Sequence, residues 1–241
     1  RKAWLKSIVD WNHKRYGITA MNEGNMGITT GVHAGILATM AAYSPAGSKV
    51  LLATPIYNGF YGDIRATKTV ANESLMKQVN GSWEIDWADF EAKAAMPDTK
   101  LSILCNPQNP LGRVWTREEL TRYGEICLKH NVLVLSDEIH CDFINKGQKF
   151  IPFSTLSNKA VVDNSISYMS ASKSFSLAGT GGQCVMLPPT RSAERFPFVW
   201  YNLGGSLMNF LIGALSLLLY SFVPMHPFGS VFFAALAATG F

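Results

Sequence analysis

The last 46 residues of the chain, Phe196 to Phe241, contain no lysine, arginine, aspartate or glutamate. All 21 Lys and Arg and all 17 Asp and Glu lie within residues 1–195. Water-facing surfaces are normally rich in charge, so a composition break falls near residue 196. Beyond it, Leu207 to Val223 is almost wholly apolar and Ser230 to Phe241 nearly so. A bilayer span takes about 20 apolar residues. The first stretch sits at the lower limit and the second is short. A frame-shifted or mis-assembled reading frame, a buried apolar hairpin and a membrane anchor all fit this tail. The first is the reading taken forward, and no membrane association is expected.

Cysteine is scarce as well. Cys105, Cys127, Cys141 and Cys184 are dispersed, without the paired spacing of a zinc site. Three of them lie in or beside apolar strands, which reads as reduced, mostly buried thiols of a cytoplasmic protein. The net charge of +4 is scattered and forms no basic run, which excludes the electrostatic footprint of a nucleic-acid binder. No signal-peptide pattern opens the sequence: Arg1-Lys2-Ala3-Trp4 leads directly into an amphipathic stretch. There is no initiator methionine, so the chain is expected to begin inside a longer protein. Internal repeats and low-complexity linkers are absent too.

What is present is a 241-residue chain, 48% hydrophobic, long enough for one sizeable core. Trp4, Leu5, Ile8, Val9 and Trp11 fall at helical spacing and predict a helix over 2–15. Gly31 to about Tyr43 predicts a second, ended by Ser44-Pro45-Ala46-Gly47. Ile85 to Ala95 predicts a third with Asp86 as N-cap. Thr116-Arg117-Glu118-Glu119 is a capping box for a fourth that reaches His130. Strands are expected at 49–54, 101–105, 132–136, 166–170 and 184–187. Val132-Leu133-Val134-Leu135 is apolar without alternation, as in a strand buried on both faces. Helices between such strands argue an α/β fold: a three-layer sandwich around a mainly parallel sheet. Ligands of such sheets sit at the carboxyl ends of the strands.

Three segments carry chemistry, and each follows an expected strand. Ser170-Ala171-Ser172-Lys173-Ser174-Phe175 sets one lysine among small hydroxyl residues, where its amine could form a Schiff base with a carbonyl cofactor. A solvated surface lysine would look the same. Cys105-Asn106-Pro107-Gln108-Asn109-Pro110-Leu111-Gly112-Arg113 has two Asn-Pro steps and a glycine that force a turn. Ser136-Asp137-Glu138-Ile139-His140 places acids at the end of a buried strand. That is costly to bury without a cationic partner, and a solvated loop is the plainer alternative.

Together, in this order and with spacings of 28 residues from Asn109 to Asp137 and 36 from Asp137 to Lys173, these segments resemble the fold-type I pyridoxal-phosphate enzymes of the aminotransferase class I/II superfamily. The stretch Asn106-Pro107-Gln108-Asn109-Pro110-Leu111-Gly112-Arg113-Val114-Trp115, with His140, is most similar to the cystathionine β-lyase branch. The resemblance runs from about Arg1 to about Phe196. It implies a large cofactor-binding domain over 1–196 and a tail, 197–241, that replaces the family's small C-terminal domain. It also implies pyridoxal 5'-phosphate as cofactor and a homodimer in the full-length family. Lys173 would hold the cofactor and move the substrate's Cα proton, Asp137 would pair with the pyridine nitrogen, and Asn109 would donate to the ring oxygen, with His140 beside it. Tyr57 would stack on the ring as part of the catalytic set. Gly31, Val32 and His33 would bind the phosphate at a helix start, helped by Ser170 and Ser172. The implied activity is C–S β-lysis of a cysteine thioether to thiol, pyruvate and ammonia. An aminotransferase using the same residues and a truncated, non-catalytic remnant are the alternatives. Thr180-Gly181-Gly182-Gln183 departs from the family pattern, which carries a bulkier residue there.

Overall fold

Alternate residues of the central strands bury on opposite sides. Val50 and Leu52 join one apolar cluster while Leu51 and Ala53 join another; Leu101 and Ile103 oppose Leu104 in the same way. A period-2 side-chain pattern that is apolar on both phases leaves no face for water, so helices must cover both sides. The computed structural model describes residues 2–175 and the strand Cys184–Leu187. Within them the chain runs α1 (Lys2–Tyr16), β1 (Gly27–Thr29), α2 (Val32–Tyr43), β2 (Lys49–Thr54), α3 (Gly59–Ala66) and β3 (Val70–Leu75). A small hairpin follows, β4 (Lys77–Val79) and β5 (Ser82–Glu84), then α4 (Trp87–Ala94), β6 (Thr99–Cys105), α5 (Arg117–Lys129) and β7 (Leu133–Asp137). A 3-10 turn at Phe153–Thr155 leads to α6 (Lys159–Asp163), β8 (Ser165–Ser170), the short α7 (Ala171–Ser174) and β9 (Cys184–Leu187).

The main sheet has the order β1-β9-β8-β7-β6-β2-β3. Strands β3, β2, β6, β7 and β8 are mutually parallel, and β9 is antiparallel to both neighbours. On one face α2 and α3 pack Ile36, Met40, Phe60 and Ile64 against the sheet. On the other, α4, α5 and α6 contribute Phe90, Leu120, Tyr123 and Val161. This is the expected three-layer α/β sandwich. The capping box forms as expected: Thr116 Oγ1 accepts from Glu119 N–H and Glu119 accepts from Thr116 N–H.

One expectation needs correction. The third helix starts at Trp87, because residues 82–84 are spent on the hairpin strand β5; Asp86 does occupy the N-cap position. The stripe on α1 is only partly covered: Trp4 and Trp11 are 38% and 41% exposed, and Asn12 is the one buried residue of that helix. Its Ile8, Val9 and Tyr16 instead pack on a separate small cluster built from Ile18, Met21, Cys141, Phe150 and Met169. Cys105, Cys127 and Cys141 are free and buried. Among the described residues no helix is long and apolar enough to cross a membrane. The tail from residue 197, the Thr180–Gln183 segment and the Cys184 side chain lie outside the described residues.

Candidate active site

Because β6, β7 and β8 are adjacent and parallel, their carboxyl ends fall on one edge of the sheet. Cys105 pairs with Asp137, and Asp137 with Tyr168. The loop with Asn109, the Asp137 strand end and α7 with Lys173 therefore meet there, although the sequence holds them 28 and 36 residues apart. The strand end of β2, with Thr54, continues the same edge and leads to Tyr57.

Asp137 is buried, at 5% exposure. Among the described residues the only hydrogen bond to its carboxylate comes from Ile139 N–H, at 3.1 Å. Burial pushes its carboxyl up to about 6, against the pull of that bond and of His33's charge. A carboxylate in this state is short of a cation. Lys173 lies on α7 with its side chain exposed. Its charge reaches the half-buried His140, whose imidazole is held below its usual range by burial first and Lys173 second. Asn109 is half-buried in a loop that is firmly tied down. Asn106 N–H donates to Asp137 O at 2.9 Å, and Gly112 N–H to Gln108 O at 2.8 Å. Gln108 Nε2 donates to Pro55 O at 2.7 Å, linking this loop to the end of β2. Gly112 takes a φ of +68°, which a side chain would disfavour.

Helix α2 starts at Val32, with Gly31 extended at the N-cap and no side-chain cap. A helix start of this kind favours an anion. His33, on its first turn, sits 2.6 Å from Asp63 Oδ2 through Nδ1. That hydrogen bond raises its pKa, partly offset by burial and assisted by Asp137. Tyr57 is 38% exposed, with its ring 5.5 Å from those of His33 and Phe60. Gly59 makes this grouping possible: a Cβ there would come within 2.4 Å of Tyr57 Cε1 and 2.8 Å of His33 Cε1. On α7, Ser170 Oγ accepts from Ser172 N–H and lies 2.8 Å from Ser172 Oγ. One hydroxyl proton of that pair is left to give.

A second layer holds α7 in place. Asp142 receives bonds from Tyr16 OH and, at 2.8 Å, from Arg15 Nε. Burial would raise its pKa, but Ser174, Tyr16 and Arg15 together hold it below the ordinary value. A cavity of about 350 Å³ opens beside it, lined by Trp4, Trp11, Asn12, Asp142, Ser174 and Phe175. Sequence reasoning gave Asp63, Gly59 and Asp142 no role. Asp63 carries no local signal, since only the fold brings it to His33. Gly59 could have been suspected from its place between Tyr57 and Phe60.

A parallel sheet that gathers an amine, a buried carboxylate, an amide and a helix start at its strand ends has the layout of an α/β domain that holds a small ligand there. The chain belongs to the aminotransferase class I and II family, which it matches over residues 2–193. It is 33% identical over 190 residues to cystathionine beta-lyase PatB of Bacillus subtilis, covering 79% of this chain and 49% of that protein. To protein MalY of Escherichia coli it is 37% identical over 155 residues, 64% of this chain and 38% of that one. Among solved structures, the PLP-bound C-S lyase of Staphylococcus hominis aligns over all of this chain and 55% of that one, with a TM-score of 0.75 and 28% identity. The chain thus spans about half the length of the relatives it matches, or less.

Proposed function

We infer that the protein from which this chain comes is a pyridoxal-phosphate-dependent C–S β-lyase acting on a cysteine thioether. The observation that carries the reading is Asp137: a buried carboxylate lacking a cation, at the edge where the Asn109 loop and the Lys173 helix converge. A protonated pyridine nitrogen is the partner it lacks. The residues present fit the whole cofactor: a ring face at Tyr57, an amine at Lys173, and an uncapped helix start at Gly31-Val32-His33 for a phosphate. When bound, the cofactor supplies an electron sink conjugated to the substrate's Cα.

The chain's own residues then have distinct tasks. Lys173 would hold the cofactor through its amine and afterwards take the proton from the substrate's Cα. Asp137 would keep the ring nitrogen protonated. Asn109 would donate from its amide to the ring oxygen, next to His140. Tyr57 would stack on the ring, and Ser170 or Ser172 would add a hydroxyl donor at the phosphate. The net reaction takes one thioether and one water to thiol, pyruvate and ammonia. Transamination would use the same residues but needs a keto acid to accept the amino group. The matches to PatB and to the Staphylococcus hominis lyase favour lysis.

The large-domain reading for 1–196 is supported by a family match that ends at 193. A homodimer is proposed with it. The three buried free thiols support a cytoplasmic setting. Incubation with pyridoxal 5'-phosphate, borohydride reduction and peptide mapping should label Lys173; label only on other lysines overturns the site. Pyruvate should appear from a thioether such as cystathionine with no keto acid added. Turnover only in the presence of a keto acid would make the protein an aminotransferase.

A further inference from the structure

The residue after Asp137 is enclosed on the other face of the sheet. Glu138 is fully buried, at 0% exposure. Three donors from three parts of the chain converge on its Oε1: Phe153 N–H at 2.8 Å, Ser136 Oγ at 3.0 Å and Asn106 Nδ2 at 3.4 Å. Asn106 Nδ2 also donates to Ile151 O at 3.0 Å, and Asn106 N–H to Asp137 O. Glu138 N–H donates to Tyr168 O and Glu138 O accepts from Cys141 N–H, so its backbone ties β8 to the turn after β7. One side chain thus fastens the head of the Asn109 loop, the end of β7 and the 151–153 segment to one another.

The other carboxyl oxygen is different. Among the described residues Oε2 is buried and has no hydrogen-bond partner, and the same holds for Asn106 Oδ1 and Ser167 Oγ. Ser167 is registered against Ser136 on the neighbouring strand. Among the described residues no cation faces the group; the charged side chain felt most strongly is Asp137, also acidic. An ionised carboxylate there would be buried with no counter-charge. Burial pushes this carboxyl up to about 7, with the three donors pulling the other way and Asp137 adding to the rise.

We propose that Glu138 is a positioning residue whose buried carboxyl clamps the Asn109 loop against the Asp137 strand end and so sets the spacing of those two groups at the cofactor ring. It touches no substrate and acts only through its neighbours. The proposal rests on the cofactor reading for what it positions, but the clamp itself does not depend on a ligand.

The test compares Glu138→Gln with Glu138→Ala in the intact protein. Glutamine keeps the shape, an acceptor oxygen for the three donors, and neutrality. Alanine removes the shared acceptor, leaving Phe153 N–H and Ser136 Oγ without this bond and Asn106 Nδ2 with only Ile151 O. Amide hydrogen exchange without cofactor should be at least about tenfold faster over residues 106–112 and 151–153 in Glu138→Ala, and unchanged in Glu138→Gln. With pyridoxal 5'-phosphate added, the pH midpoint of the cofactor's visible absorbance should move in Glu138→Ala and stay in Glu138→Gln. A lost packing contact alone would lower the melting temperature without moving that midpoint. Two results overturn the proposal: wild-type exchange over 106–112 in Glu138→Ala, or a glutamine variant as impaired as the alanine one. If no visible band forms even in the wild type, the cofactor reading fails while the exchange comparison still decides the clamp.

Discussion

Asp137 and Glu138 are consecutive, both buried and chemically alike, yet they belong to two regions with opposite character. The strand's pleat sends one to the α2 face and the other to the α5 face. On the α5 side the acid is enclosed and receives three donors, among them the Phe153 N–H. On the α2 side the acid receives a single backbone bond and looks toward His33, an exposed tyrosine ring and a helix start. The first region supplies one carboxyl oxygen with three donors from the protein itself; in the second, on the proposed reading, a ligand supplies what the protein does not. A carboxylate buried without partners is costly, so an open demand of this kind marks a site more sharply than burial or a shifted pKa alone.

The comparison can be broken by experiment. The largest effect should come from Asp137→Asn, which keeps the size but cannot balance a pyridinium. Turnover should fall by at least about a hundredfold, with a much smaller change in cofactor affinity, as measured by steady-state rates and fluorescence titration. Near-normal turnover would make Asp137 an ordinary buried acid.

A pair of glycines sharpens the contrast between the faces. Gly124→Ala would drive a Cβ to 2.2 Å from Val161 Cγ1 and 2.9 Å from Phe153 Cζ. Gly59→Ala would strike Tyr57 and His33 instead. Each should cost about 1–3 kcal/mol of stability by denaturant unfolding. Only Gly59→Ala should also weaken cofactor binding, because it displaces the rings of the open face. Equal loss of cofactor in both would erase the distinction.

The pH dependence follows from the acids. Both hold their protons in the fold well above the pH at which the unfolded chain releases them. Stability of the cofactor-free protein should therefore fall as pH rises from about 4 to about 6 for Asp137, and on to about 7 for Glu138. Asp137→Asn should flatten the lower part of that decline and Glu138→Gln the upper part, read as urea midpoints across the range.

The smallest effect belongs to His33. Its pKa is raised by Asp63, so its contribution is complete below the ordinary value of 6.5 and is lost as pH rises through the higher folded value. His33→Gln should remove this loss and leave a slightly shallower curve above pH 6.5. Its side chain is 44% exposed, so the change should be small.

Much of this was legible in the chain. The double-sided apolar run at Val132–Leu135, the capping box at Thr116 and the Asn-Pro-Gln-Asn-Pro turn each rest on local chemistry, and all three formed as local rules require. Strands β1 and β3 and helix α3 escaped, because segments of three, six and eight residues carry too little pattern to read. The α1 stripe did announce its helix, but periodicity predicts an apolar face and not what covers it.

By itself the sequence determined the parallel α/β class, the order of the amine, acid and amide motifs, and their places after strands. Hydrophobic period and turn chemistry act over a few residues and need no tertiary context. Only the tertiary structure decided that three of those strands lie side by side, that Asp63 meets His33 across 30 residues, and that the Asp137 carboxylate receives one hydrogen bond while that of Glu138 receives three. Those facts depend on strand order and on which side of a pleat a side chain leaves, and no local interaction in the unfolded chain specifies either.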